Sequence, residues 1–273
     1  MREERTKIIR ELAAATGKLT IKDEAIPYFD AIPQYMLKAA INGTLEWAEK
    51  HHKYVIGEEE IVRVIDIRKA SRKAICVANS GVRENGYLTF GDRNSKTGLI
   101  FYPGGKVEWI AYAPIVKAIS ELGIFTVLVE FPWNLAFYNN TIADKVKDDY
   151  PTIKNWYLAG HSLGGAEGAN YVAAKDTGIK GLIFLGAYPK LKISTPSLSI
   201  LGTNDTVVNR ENYKKGLEFH TEDFTEYFIE GGNHALFGNY GKQVGDADAT
   251  ITNNYQQALT VRYIDEFIKK EGK

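Results

Sequence analysis

The chain has 273 residues, 44% of them hydrophobic and 25% charged, which suffices for the buried core of one large domain or of two small ones. Its 34 basic and 34 acidic residues cancel. This removes the electrostatic attraction that nucleic acids and anionic membranes exert, and it favours a small-molecule substrate. The single cysteine, Cys76, excludes a disulfide within the chain and a cysteine-based metal site, and its apolar neighbours predict a buried core residue.

Residues 1–57 differ in pattern from the rest of the chain. Hydrophobic side chains recur at helical spacing between Ile8 and Leu12 and again over residues 28–52, which predicts amphipathic helices. We therefore expect a helical N-terminal extension over residues 1–57, of no predicted function, packed on a main domain over residues 58–273. The charged first residues lack the apolar segment of a signal peptide. No run reaches the ~18 apolar residues of a membrane-spanning helix, so we expect a cytoplasmic protein.

From residue 61 the pattern changes to that of strands. Residues 61–67 alternate between apolar and polar side chains, as in an exposed antiparallel strand, and residues 74–78 and 87–90 are weaker strand candidates. Continuous apolar runs, typical of buried parallel strands, follow at residues 99–102, 125–129, 156–159, 182–185, 198–201 and 226–229.

Helix-like segments at residues 111–122, 166–175 and 255–270 separate most of these runs. Such alternation of strands and helices predicts an α/β fold with a mostly parallel central sheet and helices on both faces. The antiparallel start of the series predicts a hairpin at one edge of that sheet.

The strongest chemical signal is the segment GHSLG at residues 160–164, between the strand candidate at 156–159 and the helix candidate at 166–175. This is the context of a nucleophile elbow, a sharp strand-to-helix turn that exposes a serine and needs glycines on both sides. The helix N-terminus there favours negative charge developing at the serine. Ser162 is the candidate nucleophile. The alternative is a glycine-rich turn with an incidental serine.

A serine needs a base, and His234 is the candidate because it lies on a Gly-Gly loop just after the strand candidate at 226–229. The other histidines fit the role less well. His51 and His52 lie in a predicted helix, His161 lies inside the elbow and is expected to pack or hydrogen-bond beside it, and His220 has no special context.

The acid that orients the base is expected between the serine and the histidine in the chain. Asp205 follows the strand candidate at 198–201 and could accept the second N–H of the imidazole. It could instead only cap the helix predicted from about Asn209. The rivals Asp176, Asp223 and Asp246 do not follow a strand in the correct order.

An oxyanion hole needs two N–H donors. Leu163, directly after the nucleophile, is expected to supply one. The loop after the strand at 99–102 is expected to supply the other, from Gly105 or, as second choice, from Lys106.

Residues 98–267 resemble the α/β-hydrolase superfamily, and are most similar to short bacterial α/β-hydrolases described as dienelactone-hydrolase-like or esterase-like. The resemblance rests on YPGGKV at 102–107, GHSLGG at 160–165, GTND at 202–205, GGNHALFGNYG at 231–241 and the tail GDADATI at 245–251. It implies the α/β-hydrolase fold and a Ser-Asp-His triad. Ser162 stands where dienelactone hydrolases carry cysteine, so their particular substrate is not implied.

Aromatic side chains after the strand at 125–129 predict an apolar wall for an acyl group, with Trp133 and Phe137 on one side and Phe237 and Tyr240 opposite. Ordinary packing explains these residues equally well. We expect hydrolysis of short to medium acyl esters, with thioesters or lactones as further candidates, and without a metal or organic cofactor. An acyltransferase or perhydrolase on the same triad and a non-catalytic binding protein are the alternatives. The oligomeric state is not predicted.

Overall fold

The computed structural model describes residues 68–272 and, before them, two three-residue strands, β1 (Leu19–Ile21) and β2 (Tyr54–Ile56), which pair in parallel. The helices predicted around residues 8–12 and 28–52 and the strand predicted at 61–67 lie outside the described residues.

Eight strands form the central sheet in the order β10-β9-β8-β7-β5-β6-β4-β3. Their bounds are β3 Val82–Glu84, β4 Tyr87–Phe90, β5 Thr97–Tyr102, β6 Phe125–Val129, β7 Asn155–His161, β8 Ile179–Leu185, β9 Ser197–Gly202 and β10 Phe224–Ile229. The strands from β10 to β6 pair in parallel, whereas β4 pairs antiparallel with both β6 and β3. The mostly parallel sheet with an antiparallel edge hairpin is therefore confirmed. The hairpin turn is Asn85-Gly86, both at positive φ, as a two-residue turn requires.

Six α-helices accompany the sheet within residues 68–272: α1 Arg72–Ala78, α2 Ala113–Ser120, α3 Ile142–Asp149, α4 Leu163–Ala174, α5 Arg210–Gly216 and α6 Asn253–Glu271. The core is divided by the sheet into two layers. In β5, Leu99 and Phe101 pack with α2 and α6, and Ile100 and Tyr102 pack with α3 and α4. Because successive side chains of a strand point to opposite faces, this division places helices on both faces, as predicted.

The strand predicted at residues 74–78 is wrong, because this segment is helix α1. Ser71 caps it by accepting a hydrogen bond from the Ala74 N–H at 3.3 Å, and the two buried side chains, Ala74 and Ala78, are four residues apart. Cys76 lies on the other side of this helix and is exposed, so the prediction of a buried cysteine is also wrong.

The order of the strands creates a crevice at the centre of the sheet. From β5 the chain passes first to β6 on one side and then to β7 on the other. The loops leaving the carboxyl ends of β5 and β7 therefore diverge, and ligands of open α/β sheets bind at such a point.

Candidate active site

Ser162 occupies the sharp turn between β7 and α4, at φ 51° and ψ −120°. A positive φ is strained for a serine, and the surrounding packing holds it there. A Cβ on Gly164 would lie 2.2 Å from the Tyr102 carbonyl oxygen, and one on Gly160 would lie 2.4 Å from the Gly165 nitrogen. Only glycine fits at both positions, which is the local reason for the Gly-x-Ser-x-Gly pattern.

Asp205 and His234 come from the loops after β9 and β10 and meet at the same edge of the sheet. The Nδ1–H of His234 donates to Oδ2 of Asp205 at 2.8 Å. The other carboxylate oxygen, Oδ1, accepts the N–H groups of Val207 and Val208 at 3.0 and 2.9 Å. Asp205 and His234 are both buried, with 2% and 1% of their surface exposed. The carboxylate of Asp205 is therefore held by three hydrogen-bond donors away from solvent.

The remaining nitrogen of His234, Nε2, is buried and makes no hydrogen bond to any described residue. His234 and Ser162 nevertheless line the same cavity. The structure thus brings the three predicted residues to one site, with the serine hydroxyl and the imidazole not yet hydrogen-bonded.

The two predicted oxyanion donors, Leu163 and Gly105, are neighbours. A Cβ on Gly105 would lie 2.8 Å from Cδ2 of Leu163, and the Gly105 carbonyl accepts from Arg68 at 3.2 Å. Leu163 opens α4, where an N–H has no acceptor within the helix. The Lys106 N–H, in contrast, donates to the Asn134 carbonyl at 2.9 Å, so Lys106 is wrong as an alternative donor.

His161 links the elbow to the loop that carries Gly105. The Gly104 N–H donates to the Tyr112 hydroxyl at 3.2 Å, and that hydroxyl lies 2.7 Å from Nδ1 of His161. Burial lowers the pKa of His161 well below its ordinary value, and the neighbouring His234 lowers it further. Burial also raises the pKa of Tyr112 well above its ordinary value. Tyr112 and His161 are therefore both uncharged, and the hydrogen bond between them agrees with the expectation of a histidine that hydrogen-bonds beside the turn.

A cavity of about 200 Å³ opens beside Ser162. It is lined by Ser162, Leu163, Ala166, Gly186, Ala187, Tyr188, Lys190, Val207, Val208, Asn209 and His234. Most of its wall comes from the loops that follow β8 and β9. Sequence reasoning missed these loops, although they leave the carboxyl edge of the sheet like the loops that carry Asp205 and His234.

The predicted aromatic wall is not part of this cavity. Trp133 and Phe137 lie half-buried in short 3₁₀ turns after β6 and do not line it. Phe237 is fully buried, with its ring centre 5.5 Å from that of His161, and Tyr240 packs in the same core against Tyr112. Phe237 and Tyr240 therefore pack in the core and do not line this cavity.

A second serine–histidine pair lies elsewhere in the sheet. The Ser197 hydroxyl, at the start of β9, lies 2.7 Å from Nδ1 of His220, and the His220 ring stacks on Phe224 with ring centres 4.0 Å apart. Burial lowers the pKa of His220 to about 4. Ser197 is fully buried, so this pair offers no hydroxyl to a substrate.

Within residues 68–272, no cluster of three histidine, cysteine or acidic side chains could hold a metal ion. No helix in the same part of the chain has the length and apolar character needed to cross a bilayer.

A sequence profile of the alpha/beta hydrolase family matches residues 98–258. The solved structure of a monoacylglycerol lipase from Paleococcus ferrophilus is similar with a TM-score of 0.53 and 14% identity, covering 68% of this chain and 100% of the lipase. A dienelactone hydrolase from Anabaena variabilis is similar with a TM-score of 0.51 and 14% identity, and the match covers 67% of this chain and 90% of the dienelactone hydrolase. Esterase 2 from Thermogutta terrifontis is similar with a TM-score of 0.51 and 14% identity, and the match covers 68% of this chain and 89% of the esterase. Comparison with curated proteins found no match.

Proposed function

The chain belongs to the alpha/beta hydrolase family, and we propose that this hydrolase cleaves carboxylic esters with a short to medium acyl group through Ser162. One observation carries the proposal. The hydrogen bond of 2.8 Å between Asp205 and His234 leaves Nε2 of the imidazole without a hydrogen-bond partner among the described residues, and His234 and Ser162 line the same cavity. This is the arrangement a general base requires when it activates a serine hydroxyl.

In the proposed reaction, Nε2 of His234 takes the proton of Ser162 while the serine oxygen attacks the ester carbonyl. Asp205 fixes the proton of the imidazole on Nδ1 and stabilises the imidazolium that forms. The imidazolium then protonates the leaving alcohol, and water releases the acid from the acyl-enzyme by the same steps in reverse. The hydrogen bond between Ser162 and His234 forms when the substrate binds. Catalytic hydrogen bonds are commonly long in unliganded enzymes and tighten in the complex.

The N–H groups of Leu163 and Gly105 stabilise the oxyanion in this proposal. The proximity of the two residues supports the assignment, as does the link from Gly104 through Tyr112 to His161, which ties the Gly105 loop to the nucleophile elbow. A preorganised pair of donors needs no rearrangement when negative charge develops on the substrate oxygen.

The shape of the cavity supports a small acyl group. Its volume is about 200 Å³ and its wall includes the apolar side chains of Ala166, Ala187 and Val208. A pocket of this size limits the length of the acyl chain, because each methylene group has to be buried to contribute to binding.

The test is hydrolysis of p-nitrophenyl esters of graded acyl length by the wild type, by Ser162→Ala and by the control Ser197→Ala. We expect activity on the shorter esters, loss of activity in Ser162→Ala and full activity per folded molecule in Ser197→Ala. Turnover surviving in Ser162→Ala would contradict the mechanism. Acyl-enzyme that transfers to an added alcohol in preference to water would assign acyl transfer instead.

A further inference from the structure

Among the described residues that line the cavity beside Ser162, Lys190 is the one lysine or arginine, and none is an aspartate or glutamate. The nearest catalytic carboxylate, Asp205, is buried behind His234 and is held by its three donors. A substrate in this cavity therefore meets a positive charge that no lining carboxylate neutralises.

The loop that carries Lys190 is anchored by the three residues that precede it. Ala187 is buried, and the half-buried ring of Tyr188 packs edge-on against Tyr213 with ring centres 6.1 Å apart. After these, the Pro189 carbonyl lies against α5, where a Cβ on Gly216 would come within 3.1 Å. The backbone thus places Lys190 at the cavity while its ammonium group remains exposed.

Lys190 makes no ion pair and no hydrogen bond within the described residues, unlike several other lysines of this domain. Lys145 pairs with Asp149 and Lys175 pairs with Asp144, each at 2.6 Å. An unpaired ammonium on a flexible stem can turn towards an anionic group without first breaking an existing contact. Its position at the mouth of the site suits the far end of an acyl chain, away from the reacting carbonyl.

Building on the proposed ester hydrolysis, we propose that the enzyme prefers esters whose acyl group ends in a carboxylate, and that Lys190 binds this carboxylate. The reaction converts a half-ester of a dicarboxylic acid and water into the dicarboxylate, the alcohol and a proton. The distal carboxylate takes no part in the bond changes.

The contact is the same before and during the reaction, because the charge on the distal carboxylate does not change. It therefore lowers KM and leaves kcat nearly unchanged. For a solvent-exposed ion pair we expect an effect of about fivefold on kcat/KM. Salt at about 1 M should abolish most of it, since the Debye length is then only about 3 Å.

The experiment compares the ethyl half-esters of succinic, glutaric and adipic acid with the matching half-amide ethyl esters, which have the same shape and no charge. Release of ethanol is measured with wild type, Lys190→Met, Lys190→Glu and the control Lys192→Met. Lys192 is an exposed lysine of the same loop that does not line the cavity.

We expect the wild type and Lys192→Met to prefer at least one half-ester over its half-amide by about fivefold, through KM. Lys190→Met should lose this preference, and Lys190→Glu should reverse it. An equal rate on both substrates in the wild type, or a preference that survives in Lys190→Met, would overturn the assignment of Lys190 and leave the proposed hydrolase intact. If the wild type hydrolyses neither series nor the p-nitrophenyl esters, the proposed function fails and this inference fails with it.

Discussion

Residues 68–272 contain two serine–histidine pairs, and they differ in almost every property except their residue types. Ser197 and His220 lie within hydrogen-bond distance, 2.7 Å, but Ser197 is fully buried. Ser162 and His234 are not hydrogen-bonded, yet both line an open cavity, and only His234 has an aspartate, Asp205, on its other nitrogen. The hydrogen-bonded pair is therefore the one less able to act on a substrate.

The position of each pair in the sheet explains the difference. Ser197 is the first residue of β9, at the amino end of the parallel strands. Ser162, Asp205 and His234 all follow the last residues of parallel strands, at the carboxyl edge where the crevice opens. A catalytic site needs access, an oriented base and room for a substrate, and a serine–histidine contact alone supplies none of these.

The largest expected effect is the difference in activity between variants of the two histidines. His234→Ala should lower kcat/KM for an ester by at least about 10⁴-fold, because the serine loses its base. His220→Ala should keep the activity of the folded protein and lower the free energy of unfolding by about 2 kcal/mol, because a packed ring is lost. Steady-state kinetics with denaturant unfolding measures both. A comparable loss of activity in both variants would break the distinction between the two pairs.

The next effect separates two acids near His234. Asp205→Asn should lower kcat by about 10³- to 10⁴-fold, since an amide cannot fix the imidazole tautomer as a carboxylate does. Asp246 accepts the N–H groups of Ala235 and Thr206 and does not contact the imidazole. Asp246→Asn should therefore cost less than about tenfold in kcat. Kinetics in which Asp246→Asn is the more damaged variant would contradict the assignment of the acid.

A smaller effect is expected from Tyr112→Phe, which removes the link between Gly104 and His161. We expect kcat to fall by about tenfold with little change in KM, because the Gly105 donor is less well positioned. The control Tyr171→Phe removes a different buried phenol, which lies in α4 and donates to the carboxylate of Asp144 in α3. It should lower stability by about 1–2 kcal/mol without the change in kcat. Equal kcat values in the two variants would remove the positioning role of Tyr112.

The smallest effect is a loss of protein stability at acid pH that arises from His220 in the second pair. The pKa of His220 is about 4 in the folded protein and about 6.5 when the ring is solvated. Between these values the unfolded chain binds a proton that the folded chain does not, so stability is lost as the pH falls from 6.5 towards 4.

His220→Gln removes this proton uptake and retains a polar side chain of similar size. Its Tm should therefore fall by a few degrees less than that of the wild type between pH 7 and pH 5. Thermal unfolding followed by circular dichroism measures this. The buried His161 acts in the same direction in both proteins and does not affect the comparison. Parallel Tm curves would contradict the buried, neutral state of His220.

Much of this architecture is predictable from local patterns. The buried parallel strands are nearly continuous apolar runs, and the elbow is recognisable because Gly160 and Gly164 flank the serine between a strand and a helix. The rule that polar residues after parallel strands meet at one edge also leads to Asp205 and His234, which the structure brings within 2.8 Å.

The sequence predictions fail where tertiary contacts determine the local structure. Residues 74–78 are an apolar run short enough for a strand, and the cap supplied by Ser71 and the packing of α1 make them helical. Phe237 is an aromatic residue near His234 in the chain, but its ring fills the core against His161. The cavity wall depends on how the loops after β8 and β9 fold over Ser162, which residue type and spacing do not determine.

The most direct test of the central claim is labelling of the folded wild-type protein with a fluorophosphonate, followed by peptide mapping of the modified serine. Such a probe reacts only with a serine that is accessible and activated by a base. We predict one label per chain, on Ser162, that disappears in His234→Ala and persists in His220→Ala. A label on Ser197, or a folded protein that takes no label, would contradict the assignment of Ser162, His234 and Asp205 as the catalytic residues.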